Sequence, residues 1–415
     1  MKILVIGKGG REHALALAAS RSSHCEKLYC APGNPGMAQI AELVDIADSD
    51  IEKLADFAQS EGIDLTIVGP EDALASGIAD EFNARGLKIF APTRAAAQVE
   101  SSKDFAKTLM KKHHIPTAAY QTFDKYQVAT KYVKEQGAPI VIKENGLKAG
   151  KGVTVASSVD EALDALKIAF EIEGNKVVIE ECLEGFEFSL IALVNGDLVV
   201  PLECAQDHKR VGDGDTGPNT GGMGSYSPVR KITKELVDEA METIMKPMAA
   251  AMVKEGVPFT GFLYGGLMVT NKGIQVIEFN ARFGDPEAEV ILCRLESDFI
   301  DAIEKVLAGQ KPELKWTDKT SHGVVLASEN YPASSTKNAP IEIDEDLEGD
   351  LYHMGTKMED GTLKTNGGRV LMLVSLADTL EEAMAKTYGE LPKIHCDKLF
   401  YRTDIGRKDL DNGQD

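Results

Sequence analysis

Residues Lys2-Ile3-Leu4-Val5-Ile6-Gly7 form a short apolar run that stops at glycine, and residues 11 to 20 follow as a run of strong helix formers. A strand this apolar is buried on both faces, which requires helices on both sides and therefore a mostly parallel sheet. Leu65-Thr66-Ile67-Val68-Gly69-Pro70 and Lys88-Ile89-Phe90-Ala91-Pro92 read as further buried strands, separated by helical patterns near 50 to 60 and 73 to 85. Residues 1–100 are thus expected to form a doubly wound α/β unit with a Rossmann-like parallel sheet.

Beyond residue 100 the texture changes to α+β. A helix is expected over 102 to 113, and short strands at 140 to 143 and 176 to 180 flank a helix near 159 to 170, giving a small lobe over 101–186. Residues 187–318 hold longer strands at 187 to 194, 262 to 270 and 274 to 279, a helix near 233 to 254, and a polar glycine-rich segment at 206 to 228. A loop of that length is usually functional. Strands at 322 to 328 and 368 to 376 and a helix at 379 to 388 predict a smaller α+β domain over 319–415.

Charge narrows the partners. The chain of 415 residues carries a formal net charge of −21, which repels nucleic acid but permits an anionic small molecule in a locally basic cleft. The six cysteines are scattered, without a Cys-x-x-Cys pair, which argues against a zinc site or disulfide framework. No leader pattern and no stretch of about 18 to 20 apolar residues is present. A cytoplasmic, monomeric enzyme acting on small molecules is expected, with no nucleic-acid or membrane partner.

Four clusters carry chemistry. Gly7-Lys8-Gly9-Gly10-Arg11-Glu12 sits where a dinucleotide fingerprint would, yet Glu12 replaces the third glycine, so it is either a structural turn or a single-phosphate site aided by Arg11. Lys143-Glu144-Asn145-Gly146-Leu147-Lys148-Ala149-Gly150-Lys151-Gly152 lies between two strands. It is either a solvated basic hairpin or a flap whose N–H groups and lysines cover a triphosphate. Val178-Ile179-Glu180-Glu181-Cys182-Leu183-Glu184-Gly185-Phe186-Glu187 runs from an apolar strand into an acidic hinge, suited to an adenine edge and ribose hydroxyls or simply an exposed turn. Glu278 and Asn280 alternate at a strand end, either a polar edge strand or a pair of the hard oxygen ligands that Mg²⁺ or Mn²⁺ prefers, with Arg282 placed to stabilise a transferring phosphoryl group.

The order of lysine, glycine-rich flap, Glu-x-x-Leu hinge and Glu-x-Asn strand end resembles the ATP-grasp superfamily. Gly9-Gly10-Arg11-Glu12-His13, Ala31-Pro32-Gly33-Asn34-Pro35-Gly36, Val68-Gly69-Pro70-Glu71, the segment Gln206–Gly224, Glu278–Glu287 and Thr365-Asn366-Gly367-Gly368-Arg369-Val370 are similar to the phosphoribosylamine–glycine ligase family. The resemblance spans almost the whole chain, and residues 206 to 224 are its most specific part.

The resemblance implies an ATP-grasp fold that joins glycine to 5-phosphoribosylamine through a glycyl phosphate, using ATP and Mg²⁺ or Mn²⁺. It assigns nucleotide contacts to Lys103, Lys143, Gly150, Lys151, Gly152, Glu180, Glu181, Leu183 and Glu187, and metal contacts to Glu278 and Asn280. It implies substrate contacts for Gly9, Gly10, Arg11, Glu12, Asp207, His208 and Arg210, and catalytic roles for Arg282, Lys209 and Asp213. Lys8 and Lys148 depart from the family's small residues, and the strand Leu263–Val269 lacks a further metal-binding carboxylate. Another ATP-grasp ligase or carboxylase, or a nucleotide-binding protein without turnover, is the rival reading.

Overall fold

The computed structural model describes residues 1–148 and 152–410. Five parallel strands make the first sheet, in the order Glu42–Leu43, Lys27–Pro32, Lys2–Gly7, Leu65–Val68, Ile89–Phe90. Strand order reverses between Lys2–Gly7 and Leu65–Val68, and a crevice opens beyond their carboxyl ends. The helical pattern at 73 to 85 resolves into Glu71–Ser76 and Ile78–Ala84, because Gly77 adopts a left-handed conformation (φ 91°) that ends the first helix. The strand Lys27–Pro32 was not expected. Its buried stretch is only Leu28–Ala31, too short to stand out between Lys27 and Pro32.

Residues 120 to 181 build an antiparallel sheet in the order Tyr120–Phe123, Val177–Glu181, Ile140–Glu144, Val153–Ala156. The helices Tyr126–Gln136 and Val159–Ala169 cover one face, packing Ala129, Val133, Ala162 and Leu166 onto Phe123, Ile140, Ile142, Val177 and Ile179. Ile140–Glu144 and Val153–Ala156 pair antiparallel, so the glycine-rich segment is a hairpin connection as expected. A second antiparallel sheet has the order Leu198–Pro201, Phe186–Asn195, Thr260–Thr270, Gly273–Asn280.

The helix expected over 233 to 254 runs as Lys234–Ala240 and Lys246–Lys254 joined by a π-turn at Met241–Met245. Pro247 explains the interruption: it lacks an N–H for the ladder and its ring crowds the preceding turn, which a wider turn relieves.

The segment 206 to 228 is not a loop alone. Gln206–Asp207 and Gly224–Ser227 are strands, and Gly224–Ser227 pairs with Thr320–Ser328. The C-terminal sheet therefore runs Gln206–Asp207, Gly224–Ser227, Thr320–Ser328, Arg369–Ala377, Asp350–His353, with Leu399–Phe400 also paired to Thr320–Ser328. Between these strands, Arg210–Gly212 and Thr216–Asn219 form a small hairpin. Among the described residues no helix is long and apolar enough to cross a membrane.

Asn34 and His13 help to dock the first domain on the last. Asn34 Nδ2 donates to the carbonyls of Lys8 (2.9 Å) and His353 (2.8 Å), while its Oδ1 accepts from the N–H groups of Gly36 and Met37. His13 Nδ1 accepts from the His353 N–H at 3.0 Å, with the two rings edge to face. Both imidazoles are buried, and burial lowers His13 to about 3 and His353 to about 4.

Candidate active site

One cavity of about 690 Å³ lies where the small lobe, the long antiparallel sheet, the first domain and the C-terminal sheet meet. That volume is within the range of small-molecule sites. Its wall begins at the hinge Glu181-Cys182-Leu183 and includes Glu187, Lys103, Lys143, Gly146, Lys148, Gly152, Glu278, Asn280 and Arg282. Asp207, Lys209, Arg210, Arg11, Glu71 and Arg369 complete it. Gly150 and Lys151 lie outside the described residues.

The lysines are set by helix geometry. Ser102 caps the helix Lys103–Lys112, accepting from the Phe105 N–H, which puts Lys103 in the first turn and Lys107 one turn later on the same face. Lys103 Nζ donates to the Gly146 carbonyl at 3.0 Å, tying the helix to the flap. Lys107 and Lys143 share one oxygen of Glu180, at 2.9 and 3.0 Å, and Lys143 also donates to the Ile277 carbonyl at 2.8 Å. Glu180 is 3 % exposed and lines the cavity; its Oε2 positions the two lysines while its Oε1 has no hydrogen-bond partner among the described residues. Burial lowers Lys107 to about 8 even with Glu180 beside it.

Glu278 and Asn280 lie on one face of Gly273–Asn280, opposite Gly266 and Tyr264. A Cβ at Gly266 would sit 3.3 Å from Glu278 Cγ, so the absent side chain makes room for the carboxylate. Burial opposes the charge on Glu278, but Lys209, Lys143, Lys103 and Arg282 outweigh it and hold the carboxyl below its usual range. One end of the Asn280 amide faces two acceptors, Glu100 Oε1 (3.3 Å) and the Phe279 carbonyl (3.0 Å), so the hydrogen-bonding pattern assigns the nitrogen to that end and the oxygen to the other. A charged carboxylate and an amide oxygen suit a hard divalent cation. Among the described residues no group of three His, Cys, Asp or Glu could hold a metal alone.

Arg282 pairs with Glu71 (3.6 Å) and Glu100 (3.2 Å), and Arg11 with Glu12 (2.6 Å) and Glu71 (3.5 Å). Burial alone would raise Glu71, but Arg282 and Arg11 bring it down to about 2. Glu71 and Glu100 were given no role from sequence, and neither were Lys107 and Glu287. Glu287 Oε1 accepts from the hydroxyls of Ser189 (2.8 Å) and Tyr264 (3.0 Å) and borders the same cavity. Lys107 could have been found from its one-turn spacing to Lys103. The others needed the fold.

Asp207 and Lys209 alternate along the chain and both line the cavity, whereas His208 between them does not. Lys209 Nζ lies 3.3 Å from Glu187 Oε2, linking the segment after Gln206–Asp207 to the residue expected at the ribose. Burial pushes Asp207 up to about 7, with Lys209 opposing and Glu287, Glu187 and Glu278 adding to the rise. The expected role of His208 at the substrate needs correction: it is 1 % exposed and its Nε2 accepts from the Gly406 N–H at 3.2 Å. Burial, with Lys408 and Arg402 nearby, lowers it to about 3. Asp213 is corrected likewise, since its carboxylate accepts from the Thr403 N–H (2.9 Å) and hydroxyl (2.5 Å) and lies off the cavity wall.

Of the two readings left open for the glycine turn, the packing favours the structural turn. Glu12 is 3 % exposed; its Oε2 accepts from the Gly9 N–H and its Oε1 from Arg11 Nε, both at 2.6 Å. A Cβ at Gly69 would lie 1.9 Å from Glu12 Oε1 and one at Gly7 2.3 Å from Glu12 Cγ. Glu12 therefore fills the crevice at the strand-order reversal, which excludes a dinucleotide pyrophosphate there. Of Gly9, Gly10, Arg11 and Glu12, only Arg11 reaches the cavity.

With this geometry in place, the comparisons are specific. Family models for phosphoribosylglycinamide synthetase match in three parts: the N domain over residues 1–100, the ATP-grasp (A) domain over 101–288 and the C domain over 321–408. Phosphoribosylamine–glycine ligase of Streptococcus pneumoniae strain R6 is 50 % identical, covering 98 % of this chain and 99 % of that protein. The ligase of Halalkalibacterium halodurans is 50 % identical over 98 % and 97 %. The crystal structure of the Thermotoga maritima ligase superposes with a TM-score of 0.86 at 33 % identity, covering 98 % of this chain and all (100 %) of the other. A biotin carboxylase domain of Hydrogenobacter thermophilus, solved with magnesium ADP and bicarbonate, shares the fold alone, with a TM-score of 0.74 at 15 % identity over 96 % of this chain and 91 % of that one. The chain has the ATP-grasp fold and belongs to the phosphoribosylamine–glycine ligase family.

Proposed function

We propose that the protein catalyses ATP-dependent ligation of glycine to 5-phosphoribosylamine, giving glycinamide ribonucleotide, ADP and phosphate, a step of purine synthesis. The observation that carries this reading is the single cavity in which an adenine-type hinge, a set of lysines, the Glu278–Asn280 pair and the Asp207–Arg210 loop share one wall. A nucleotide and two small substrates can be held there together.

In this mechanism a carboxylate oxygen of glycine attacks the γ-phosphorus of ATP, and the bond to the β,γ-bridging oxygen breaks to release ADP. The amine of phosphoribosylamine attacks the carbonyl carbon of glycyl phosphate, the C–O bond breaks and phosphate leaves, carrying one former glycine oxygen. The attacking nitrogen loses a proton as the amide forms. No side-chain nucleophile is needed, so the protein contributes positioning and charge neutralisation. Backbone groups of Glu181 and Leu183 meet the adenine edge, Glu187 the ribose hydroxyls, and Lys103, Lys143 and the flap the phosphates. Glu278 and Asn280 would hold Mg²⁺ or Mn²⁺, which supplies charge neutralisation at the phosphates. Arg282, kept oriented by Glu71 and Glu100, stabilises the moving phosphoryl group. Asp207, Lys209 and Arg210 supply both signs of charge, as a zwitterionic amino acid requires.

The test uses glycine labelled with ¹⁸O in its carboxylate. Label is expected in the released phosphate only when phosphoribosylamine and ATP are both present. Unlabelled phosphate, or ADP release that depends on bicarbonate instead of glycine, would refute the proposal.

A further inference from the structure

The N-terminus of the helix Gly10–Ser20 is closed to an incoming phosphate. The Gly9 N–H is taken by Glu12, and a Cβ on Gly10 would lie 2.4 Å from Glu289 Oε1 and 2.9 Å from Met354 Cγ. A carboxyl group and a thioether thus cover the site where a helix start could otherwise hold an anion. A phosphorylated sugar in this cavity needs a cation elsewhere.

Apart from the lysines of the small lobe, the cations on the wall are Lys209, which faces Glu187, and Arg11, Arg210, Arg282, Arg369 and Lys408. Arg11 is committed to Glu12, Glu71 and the Phe283 carbonyl. Arg282 is committed to Glu71, Glu100 and the same carbonyl. Lys408 is in close contact with the Asp215 carboxylate. Arg210 donates from Nη1 to the Gly217 carbonyl within its own hairpin.

Arg210 is thus held through one nitrogen on an exposed hairpin, whereas Arg369 is held through one nitrogen but part-buried and braced against Gly221. Its Nη1 donates to the carbonyls of Gly221 (2.8 Å) and Asp285 (2.9 Å) and lies 3.0 Å from Asp285 Oδ1. The guanidinium rests on Gly221, where a Cβ would be 3.0 Å from Cζ and 3.2 Å from both Nε and Nη2. One nitrogen fixes the group, and its Nε and Nη2 make no hydrogen bond to another described residue. A planar, braced guanidinium with one free edge is the geometry that binds a phosphate bidentately.

Resting on the ligase reading above, we propose that Arg369, delivered by the C-terminal sheet, anchors the 5′-phosphate of the sugar amine through its Nε and Nη2. The substrate would then bridge the C-terminal domain and the nucleotide lobes, and Gly221 would be required for the guanidinium to lie flat.

The experiment compares 5-phosphoribosylamine with ribosylamine, which lacks the phosphate, in the wild type and in Arg369→Gln. The wild type is expected to favour the phosphorylated amine. Arg369→Gln should raise KM for it by about 10- to 100-fold, the span of a lost charged hydrogen-bond pair. KM for ATP and for glycine, and kcat/KM for ribosylamine, should stay within about threefold. Arg369→Lys should recover part of the discrimination. An equal loss on both amines would make Arg369 a brace for Gly221 and Asp285 and overturn the proposal, as would loss of discrimination in Arg210→Gln instead. If the wild type shows no glycine-dependent turnover, the ligase reading fails. Calorimetric binding of ribose 5-phosphate against ribose then decides the anchor: a phosphate preference that Arg369→Gln abolishes supports it, and one that persists overturns it.

Discussion

Replacing Glu180 by glutamine removes one charge and almost no volume, leaving the buried Lys107 and Lys143 ammoniums with an amide between them. Breaking a buried ion pair from one side costs about 3–5 kcal/mol. Part of that is relieved, because Lys107 already stands at about 8 and without the carboxylate would fall further and shed its proton. The lower end, about 3 kcal/mol, is therefore expected, or roughly a hundredfold in an opening equilibrium. Because the charged form is the penalised one, the loss should grow as pH is lowered and shrink as it is raised. Hydrogen exchange reads this locally. Amides of Val177–Glu181 and Ile140–Glu144, paired strands of the small lobe, should exchange roughly a hundredfold faster than in the wild type. Lys2–Gly7 and Leu65–Val68 in the first sheet should not change. Lys107→Met leaves the Lys143–Glu180 pair intact and should perturb these strands far less. Exchange within about threefold of wild type in Glu180→Gln would show that the shared carboxylate does not hold the lobe together.

Glu278→Gln should lower kcat about 100-fold or more at limiting Mg²⁺ with little change in melting temperature, since it removes charge but not shape; wild-type turnover at limiting metal would reject the metal role. Lys209→Ala frees Glu187 as well as the substrate loop, so it should raise the apparent KM for glycine or phosphoribosylamine and also shift ATP affinity by a few-fold; unchanged ATP affinity would confine Lys209 to the substrates. The His13–His353 contact should make the protein acid-labile. Both imidazoles have folded values below the unfolded value of about 6.5, so the unfolded chain binds more protons and stability falls as pH drops below about 6.5 towards about 4 for His353 and about 3 for His13. Each should cost about 2 kcal/mol by pH 5. Melting temperature measured from pH 7 to 5 should fall less steeply in His353→Gln than in wild type, and equal slopes would refute this.

The first sheet was legible because its central strands are apolar on both faces and end at glycine, and the flap hairpin because two short strands flank a run of glycines and lysines. Glu278, Asn280 and Arg282 could be placed because a two-residue period puts the first two on one face wherever the strand goes. The same period should have separated His208 from Asp207 and Lys209. It was obscured because residues 206 to 228 look like a polar loop: Gln206–Asp207 pairs with Gly224–Ser227, which in turn pairs with Thr320–Ser328, about a hundred residues later. Glu12 shows a different limit. Its presence excluded a dinucleotide, but its burial against Gly7 and Gly69 depends on pairing two strands about sixty residues apart in the chain, Lys2–Gly7 and Leu65–Val68.

The pairing of Gly224–Ser227 with Thr320–Ser328 also bears on how the chain comes off the ribosome. Asp207, Lys209 and Arg210 are synthesised near the middle of the protein, yet the strand that fixes their segment emerges only after both nucleotide-binding lobes have left the exit tunnel. A nascent chain stopped short of residue 320 could complete a pocket for adenine while its substrate loop still lacked a partner, so competence for the second half of the reaction would arrive last.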